Sequence, residues 1–319
     1  MNPYFTKDFV LNNIHYFARD MSDEKIYAIS DLHVDQIENM KWVEQLSSDR
    51  YLNDTVIIAG DITHVLTKLT QTLKLFKSKF KNVYYCPGNH ELWTQSQMED
   101  EELQVDNSIE KFHHIIKLCD SIGVHTKPGV TDQGVTIVPL FGWYDESLHK
   151  PHPEVESDLR LWSDNYRCKW TNEVPQTEAA KYFVGLNKKY IFDLNKNNNK
   201  KIITFSHFLT SKKLMQAYRD EMQRRRDQWR ENKNDTTSNQ EQNVIKANFS
   251  LVAGTELLGE QLQIIKPQVH IFGHSHRKMV LDIGDGITYV NNPLGYVKER
   301  ETGLIEPPHE LYEIKLIDK

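Results

Sequence analysis

The sequence has little of what would place it in several broad classes. Cysteine is scarce: Cys86, Cys119 and Cys168 in 319 residues, an odd number at wide, irregular spacing. No disulfide framework and no CxxC zinc pair follows from that, and a reducing, cytoplasmic setting fits. No run of about 18 apolar residues occurs, so no membrane span is expected. The start, Met1-Asn2-Pro3-Tyr4-Phe5, lacks the basic-then-apolar pattern of a secretory signal. Positive charge is not in excess either. Lys+Arg number 39 against 45 Asp+Glu, for a net charge of −6. No basic field is available to hold nucleic acid non-specifically. The one basic run, Arg224-Arg225-Arg226, lies among acids and reads as a solvated helix face. There are no internal repeats.

What the chain does have is a set of short, continuously apolar, β-branched runs that end in polar residues. Lys25–Ile29 leads into Ser30-Asp31-Leu32-His33, and Thr55–Ala59 into Gly60-Asp61. Val83–Tyr85 leads into Cys86-Pro87-Gly88-Asn89-His90-Glu91, Lys201–Phe205 into Ser206-His207, and Val269–Phe272 into Gly273-His274-Ser275-His276. Such runs read as strands buried on both faces. Helical periodicity falls between several of them, at Leu66–Phe80, Ser108–Ile122 and Thr255–Ile265. Strand–helix alternation predicts an α/β fold with a largely parallel core. In that arrangement five strands deliver Asp31, His33, Asp61, Asn89, His207, His274 and His276 to one edge of one sheet, where open α/β sheets bind ligands. A single strand-end Asp is usually a helix cap, and a single strand-end His usually packs. Five strands agreeing make coincidence a poor explanation.

Imidazole nitrogen with carboxylate and amide oxygen suits Mn, Fe, Zn or Co rather than a thiolate-bound ion. Seven ligands exceed one tetrahedral shell and match two ions sharing a bridging carboxylate. Two ions ~3.5–4 Å apart clamp the attacking and leaving oxygens of an in-line displacement at phosphorus, and a hydroxide held between them is a nucleophile near neutral pH.

The ordered set D-L-H, G-D, G-N-H-E, S-H and G-H-S-H, from Asp31 to His276, resembles the calcineurin-like metallophosphoesterase superfamily. Each piece is weak alone; the complete ordered set is highly specific. The resemblance implies a four-layer α-β-β-α sandwich with a dinuclear site at its strand ends. It implies Asp31, His33 and His276 on the first metal, Asp61 bridging, and Asn89, His207 and His274 on the second. His90 would be the proton donor to the leaving group rather than a ligand. Two divalent or trivalent transition-metal ions are implied, with Mn best placed to support activity in vitro. The implied activity is hydrolysis of a phosphomonoester or phosphodiester, on a phosphorylated small molecule or nucleotide. Similar Asn-Pro-x-Gly-Tyr stretches, here Asn292-Pro293-Leu294-Gly295-Tyr296, close the core in some members.

The sequence departs from the protein Ser/Thr phosphatase branch. Val34 follows His33 where that branch has Gly, and Gly60-Asp61-Ile62-Thr63 lacks its Asp-Arg-Gly. Without an Arg to grip a protein phosphate, that branch does not fit. Glu91 has no ligand role in the resemblance and reads as a helix-start carboxylate. His64 stands where that branch pairs an Asp with the catalytic His; a solvent-facing loop His is the preferred reading. A non-catalytic scaffold of the same fold is the alternative to an enzyme, but drift to a scaffold should lose ligands or His90, and none is lost.

The chain reads as one domain over 1–319 with three stretches outside the motifs. Tyr144–Tyr190 falls between the third and fourth ligand loops and carries Trp162, Trp170, Arg160 and Arg167. Its aromatics read as a small satellite core, with a base or sugar platform as the other reading. As a cap over the site it is expected to set substrate choice rather than metal binding. Glu231–Asn243 and Asn195–Lys201 are polar, without apolar period, and read as surface loops. Beyond the last ligands, Met279–Ile283 and Ile287–Val290 around Gly284-Asp285-Gly286 read as a hairpin, and Val135–Phe141 as a strand of a second sheet.

Overall fold

Alternation along the first three strands decides the layering. In the computed structural model β1 is Ile26–Ile29, β2 is Thr55–Ala59 and β3 is Asn82–Cys86. They pair parallel in the order β1-β2-β3. Successive side chains of a strand point to opposite faces. Tyr27, Ile29, Val56, Ile58, Val83 and Tyr85 accordingly join one core with Leu69, Leu73, Phe76 and Ile115 of the helices behind the sheet. Ile26, Ala28, Ile57, Ala59, Tyr84 and Cys86 join the other core, shared with the second sheet. Both faces are buried, which is why these runs are continuously apolar.

The second sheet continues the numbering: β4 Gly129–Val130, β5 Thr136–Pro139, β6 Ile202–Phe205, β7 Val269–Phe272, β8 Met279–Asp282 and β9 Thr288–Asn291. Its order is β4-β5-β6-β7-β9-β8, and β10, Tyr312–Glu313, closes the first sheet against β1. Helices Ile37–Gln45, Leu66–Lys79 and Ser108–Ile122 cover the first sheet. Ala179–Leu194 and Glu256–Ile265 cover the second, through residues such as Phe183, Leu258 and Leu262. Helix, sheet, sheet, helix is the expected four-layer sandwich.

One correction concerns the ligand strands. They do not share one sheet: β1, β2 and β3 lie in the first, β6 and β7 in the second. Their C-terminal ends meet because the two sheets pack face to face. Backbone hydrogen bonds hold those ends together within each sheet, Asp31 N to Gly60 O (3.0 Å) and His33 N to Asp61 O (3.0 Å) in the first and Gly273 N to His207 O (2.9 Å) in the second. The His207 ring crosses between them, its Nδ1 2.9 Å from Ala59 O.

The hairpin β8–β9 forms antiparallel around the glycine turn. β4 and β10 are two residues long, too short for a period to show. The structure describes residues 24–94, 105–151, 159–194, 201–233, 248–307 and 309–316. Within the stretch read as the loop Glu231–Asn243, residues 231–233 end helix Lys212–Lys233, and 234–243 lie outside the described residues, as do 195–200. On that helix Arg224 and Arg225 pair with Glu221, at 2.6 and 2.7 Å, on the helix surface.

Candidate metal centre

The backbone at the strand ends is unusual before any side chain is considered. Among the described residues six non-glycine positions have positive φ, and five of them are expected ligands: Asp31 (51°), His33 (42°), Asp61 (54°), His274 (66°) and His276 (49°). This left-handed region costs a β-carbon-bearing residue energy, and although Asp and His enter it more readily than most, five such positions where the strand ends meet are unusual. The conformation turns each chain sharply off its strand so that its side chain faces the seam. Glycines make room for the same turn. A Cβ on Gly88 would lie 2.2 Å from Asp61 Oδ1, and one on Gly60, at φ 80°, 2.5 Å from His207 Nδ1.

The side chains converge as two clusters. Asp31, His33, Asp61 and His276 offer ligand atoms within 4.8 Å of one another, and so do Asp61, His207 and His274. Asp61 is common to both. The two Nε2 atoms of His33 and His276 are 2.9 Å apart, and His276 Nε2 is 3.5 Å from Asp31 Oδ1. His207 Nε2 lies 3.3 Å from Asp61 Oδ2 and 3.1 Å from Asn89 Oδ1.

Outer partners decide which ring nitrogen is free. His207 Nδ1 donates to Ala59 O, His274 Nε2 to Val252 O at 2.9 Å, and His276 Nδ1 to a Glu299 carboxylate oxygen at 2.7 Å. A carbonyl or carboxylate only accepts, so the opposite nitrogens are left with lone pairs facing the seam. His33 Nδ1 is buried without a hydrogen-bond partner. Lone pairs and carboxylate oxygens this close repel unless a cation sits among them, so the donor set fits transition-metal ions. Carboxylates are held in place as well. Asp31 Oδ2 accepts from Ser30 Oγ (2.5 Å) and its Oδ1 from His274 N (2.9 Å); Asp61 Oδ1 accepts from His90 N (3.0 Å).

Without a cation the protons redistribute among these groups. Burial works against charge throughout, but His207 and His90 beside Asp61 hold its carboxyl well below the usual range, and Asp61 lifts His207 to about 9. Burial lowers His33 and His274, and raises Asp31. A cation held at His207 Nε2 would reverse the His207 shift by taking its lone pair.

His90 stands apart from the expected ligands. Its Nε2 is 3.7 Å from Asp61 Oδ2, its ring 4.7 Å from that of His33, and the side chain is 13% exposed. Burial above all, with His276 and His207 adding to it against the pull of Asp61, lowers it to about 4, not the ~6.5 of a free imidazole. One face of the ring rests on Trp93, 3.7 Å between centroids. His64 is not solvent-facing: it is 17% exposed, packs near Trp93 at 5.6 Å, and its Nδ1 is 3.6 Å from Asp35 Oδ2.

Three residues reach the site without having been expected there. Glu91 is not a helix-start carboxylate. It is fully buried and accepts from the backbone N–H groups of Gly88 (2.7 Å), Asp61 (3.1 Å), Ile62 (2.5 Å) and Thr63 (3.3 Å). One carboxylate thus clamps the Asp61 loop to the Asn89 loop, and burial beside Asp61 raises it to about 7. Its run of polar neighbours was the available signal. Glu299 orients His276 from helix Val297–Glu301, and nothing in its spacing marks it. Asp164, on helix Asp164–Arg167 of the insertion, accepts from Asn89 Nδ2 at 2.9 Å and Trp93 Nε1 at 2.6 Å.

Aromatics of the insertion region pack inward: Trp143 meets Trp170 edge-on at 5.0 Å and Tyr144 stacked at 5.0 Å, within the main core. The Arg167 guanidinium lies 4.7 Å over the Trp93 ring, whereas Arg160 is exposed. Tyr296, of the predicted closing stretch, stacks on His33 at 4.4 Å. It borders a cleft of about 520 Å³ lined by Gln36, Tyr296, Lys298, Glu299, Thr302 and Leu304. Among the described residues no helix is long and apolar enough to cross a membrane.

A two-sheet sandwich with paired Asp/His clusters at its strand ends defines a metallophosphoesterase, and the chain belongs to the calcineurin-like phosphoesterase family, whose pattern matches residues 24–278. Members of this family are phosphoesterases, hydrolases of phosphoric ester bonds, and the Asp/His clusters of this chain could hold metal ions. Among individual proteins, it is similar to the acyl-carrier-protein phosphodiesterase PptH of Mycobacterium tuberculosis, 33% identical over 133 residues. That match spans 40% of this chain and 40% of the relative's length. The fold is similar to the crystal structure of phosphopantetheinyl hydrolase (PptH) from Mycobacterium tuberculosis, with a TM-score of 0.69 at 21% identity, over 92% of this chain and 96% of that one.

Proposed function

We propose that the chain hydrolyses a phosphodiester with two transition-metal ions, one held by Asp31, His33 and His276, the other by Asn89, His207 and His274, with Asp61 bridging. The observation that carries this reading is the sharing of Asp61 by both clusters. Such ions supply Lewis acidity toward the phosphoryl oxygens and an activated water. Oxygen and imidazole donors suit Mn, Fe, Zn or Co, with Mn the choice for assay. His90 faces the leaving group and gives it a proton. It starts neutral, takes up a proton from solvent when an anionic phosphoryl group beside the ring raises its proton affinity, and passes that proton to the departing oxygen.

A diester is favoured over a monoester by the relative named as an acyl-carrier-protein phosphodiesterase. We extend this to the substrate: the diester joining a phosphopantetheine arm to a carrier protein, with the arm entering the cleft beside Tyr296. The test is a hydrolysis panel with Mn²⁺ covering aryl phosphate, bis-aryl phosphate, cyclic nucleotides, nucleotides, phosphopeptides and phosphopantetheinylated carrier protein. Turnover of the carrier protein and of bis-aryl phosphate ahead of the monoesters is the expected result. Preference for a monoester overturns the diester assignment.

Arg167 bears on substrate choice. Its guanidinium is oriented by Trp93, which in turn touches His90. A cation there favours an anionic substrate. Arg167→Ala is expected to lower kcat/KM for the best diester by about tenfold, the low end for a charged hydrogen bond, without changing metal content. Unchanged ranking across the panel would leave Arg167 as packing for Trp93 alone.

A further inference from the structure

We infer that Asp164 is a positioning residue for the second metal ion: it holds the Asn89 amide in the one orientation that turns its oxygen toward the metal. This rests on the two-ion reading above. An asparagine side chain is nearly symmetric in shape, so only its partners decide which end faces which way. The Asn89 NH₂ end donates to Asp164 Oδ1 (2.9 Å), which leaves Oδ1 of Asn89 3.1 Å from His207 Nε2. Asp164 Oδ1 also accepts from Trp93 Nε1 (2.6 Å). An oxygen accepting from two N–H groups has no proton to give, so it can meet only the NH₂ end. A flipped Asn89 would set oxygen against oxygen at Asp164 and turn an NH₂ group on the cation.

Asp164 is 4% exposed and is itself well fixed. The segment that carries it is tied to the Asn89 loop at two points and to the following helix, Ser108–Ile122, at a third. Thr94 N donates to Arg167 O (2.9 Å), Ser108 N donates to Lys169 O (2.8 Å), and the Arg167 guanidinium covers Trp93. The insertion therefore serves the metal site. That differs from the expectation that it would set substrate choice alone, and the reason is an acid seventy-five positions from its partner, invisible to any spacing.

The test is Mn²⁺ binding to the full-length chain, read as two stepwise affinities by calorimetry and equilibrium dialysis. Asp164→Leu is expected to keep the first ion near its wild-type affinity and to weaken the second by about 10–100-fold, as loss of an outer partner does. Asp164→Asn keeps a carbonyl acceptor in the same place and should recover most of the second affinity. In an Asn89→Ala background there is no amide left to orient, so Asp164→Leu should add no further loss. Asp164→Ala serves the same comparison should the leucine variant fail to fold. Two ions bound normally by the Leu variant, equal weakening of both ions, no recovery with Asn, or an additive loss in the Asn89→Ala background would each overturn the inference. Wild-type protein that takes up a single ion would overturn the dinuclear reading, and this inference with it.

Discussion

Asp61→Asn is expected to leave the protein with one tightly held ion or none, and to lower kcat about 10³-fold or more. Both clusters draw on this carboxylate, and the charge stabilisation supplied by a metal pair is worth several kcal/mol. The substitution is close to isosteric, and asparagine tolerates the 54° φ at this position. The fold should survive it. What changes is the charge and one oxygen. Asp61 Oδ1 accepts from His90 N, while Oδ2 faces His207 and His90. An amide that keeps its oxygen on His90 N turns an NH₂ group toward the metals, where it repels both. Metal analysis after Mn²⁺ loading, with kcat on the best substrate, checks this. Full occupancy by two ions at an unchanged rate would show that Asp61 is not the bridge.

His90→Ala is expected to separate substrates by their leaving groups. General acid help is typically worth roughly 10²–10⁴-fold. It matters only where the departing oxygen is too basic to leave as an anion. Loss of His90 should therefore slow alkyl diesters by about that factor while a nitrophenyl ester, whose leaving group needs no proton, slows by far less. Metal content should stay at two ions, because the ring holds none of the outer contacts of the ligand histidines. The low proton affinity that burial imposes on His90 sharpens the test. A ring that cannot be recharged by the substrate's phosphoryl anion would slow both ester types equally, and His90 would then be a positioning group.

The parts of the fold visible in the chain are those whose burial is two-sided. β1, β2, β6 and β7 are found within a residue of their apolar runs, because a strand covered on both faces has no polar position to blur its ends. Helices Ser108–Ile122 and Glu256–Ile265 were equally plain, being amphipathic and ending at Gly123 and Lys266, both left-handed. Helix Lys212–Lys233 was not, since it is mostly charged and presents a wide face to solvent. The edge strands β4 and β10 carry too few residues for a pattern.

The seven expected ligands and His90 stood out as candidates because polar residues occur at the strand ends where a turn alone would not require them. Their ordered motifs, through the family resemblance, supplied the roles proposed for them. Their supports were a different matter. Glu91 looked like a cap and proved to be a clamp on four backbone N–H groups. Glu299 and Asp164 act from segments far along the chain, one after the last strand of the second sheet and one within an insertion. Local periodicity and spacing report on neighbours along the backbone, so the sequence alone determined the main strands, the helices between them and the candidate ligands at their ends. The division of the candidate ligand strands between the two sheets, the free nitrogen on each imidazole and the orientation of the Asn89 amide depend on contacts between residues many positions apart. Only the tertiary structure brings those partners within reach, and it therefore decides them.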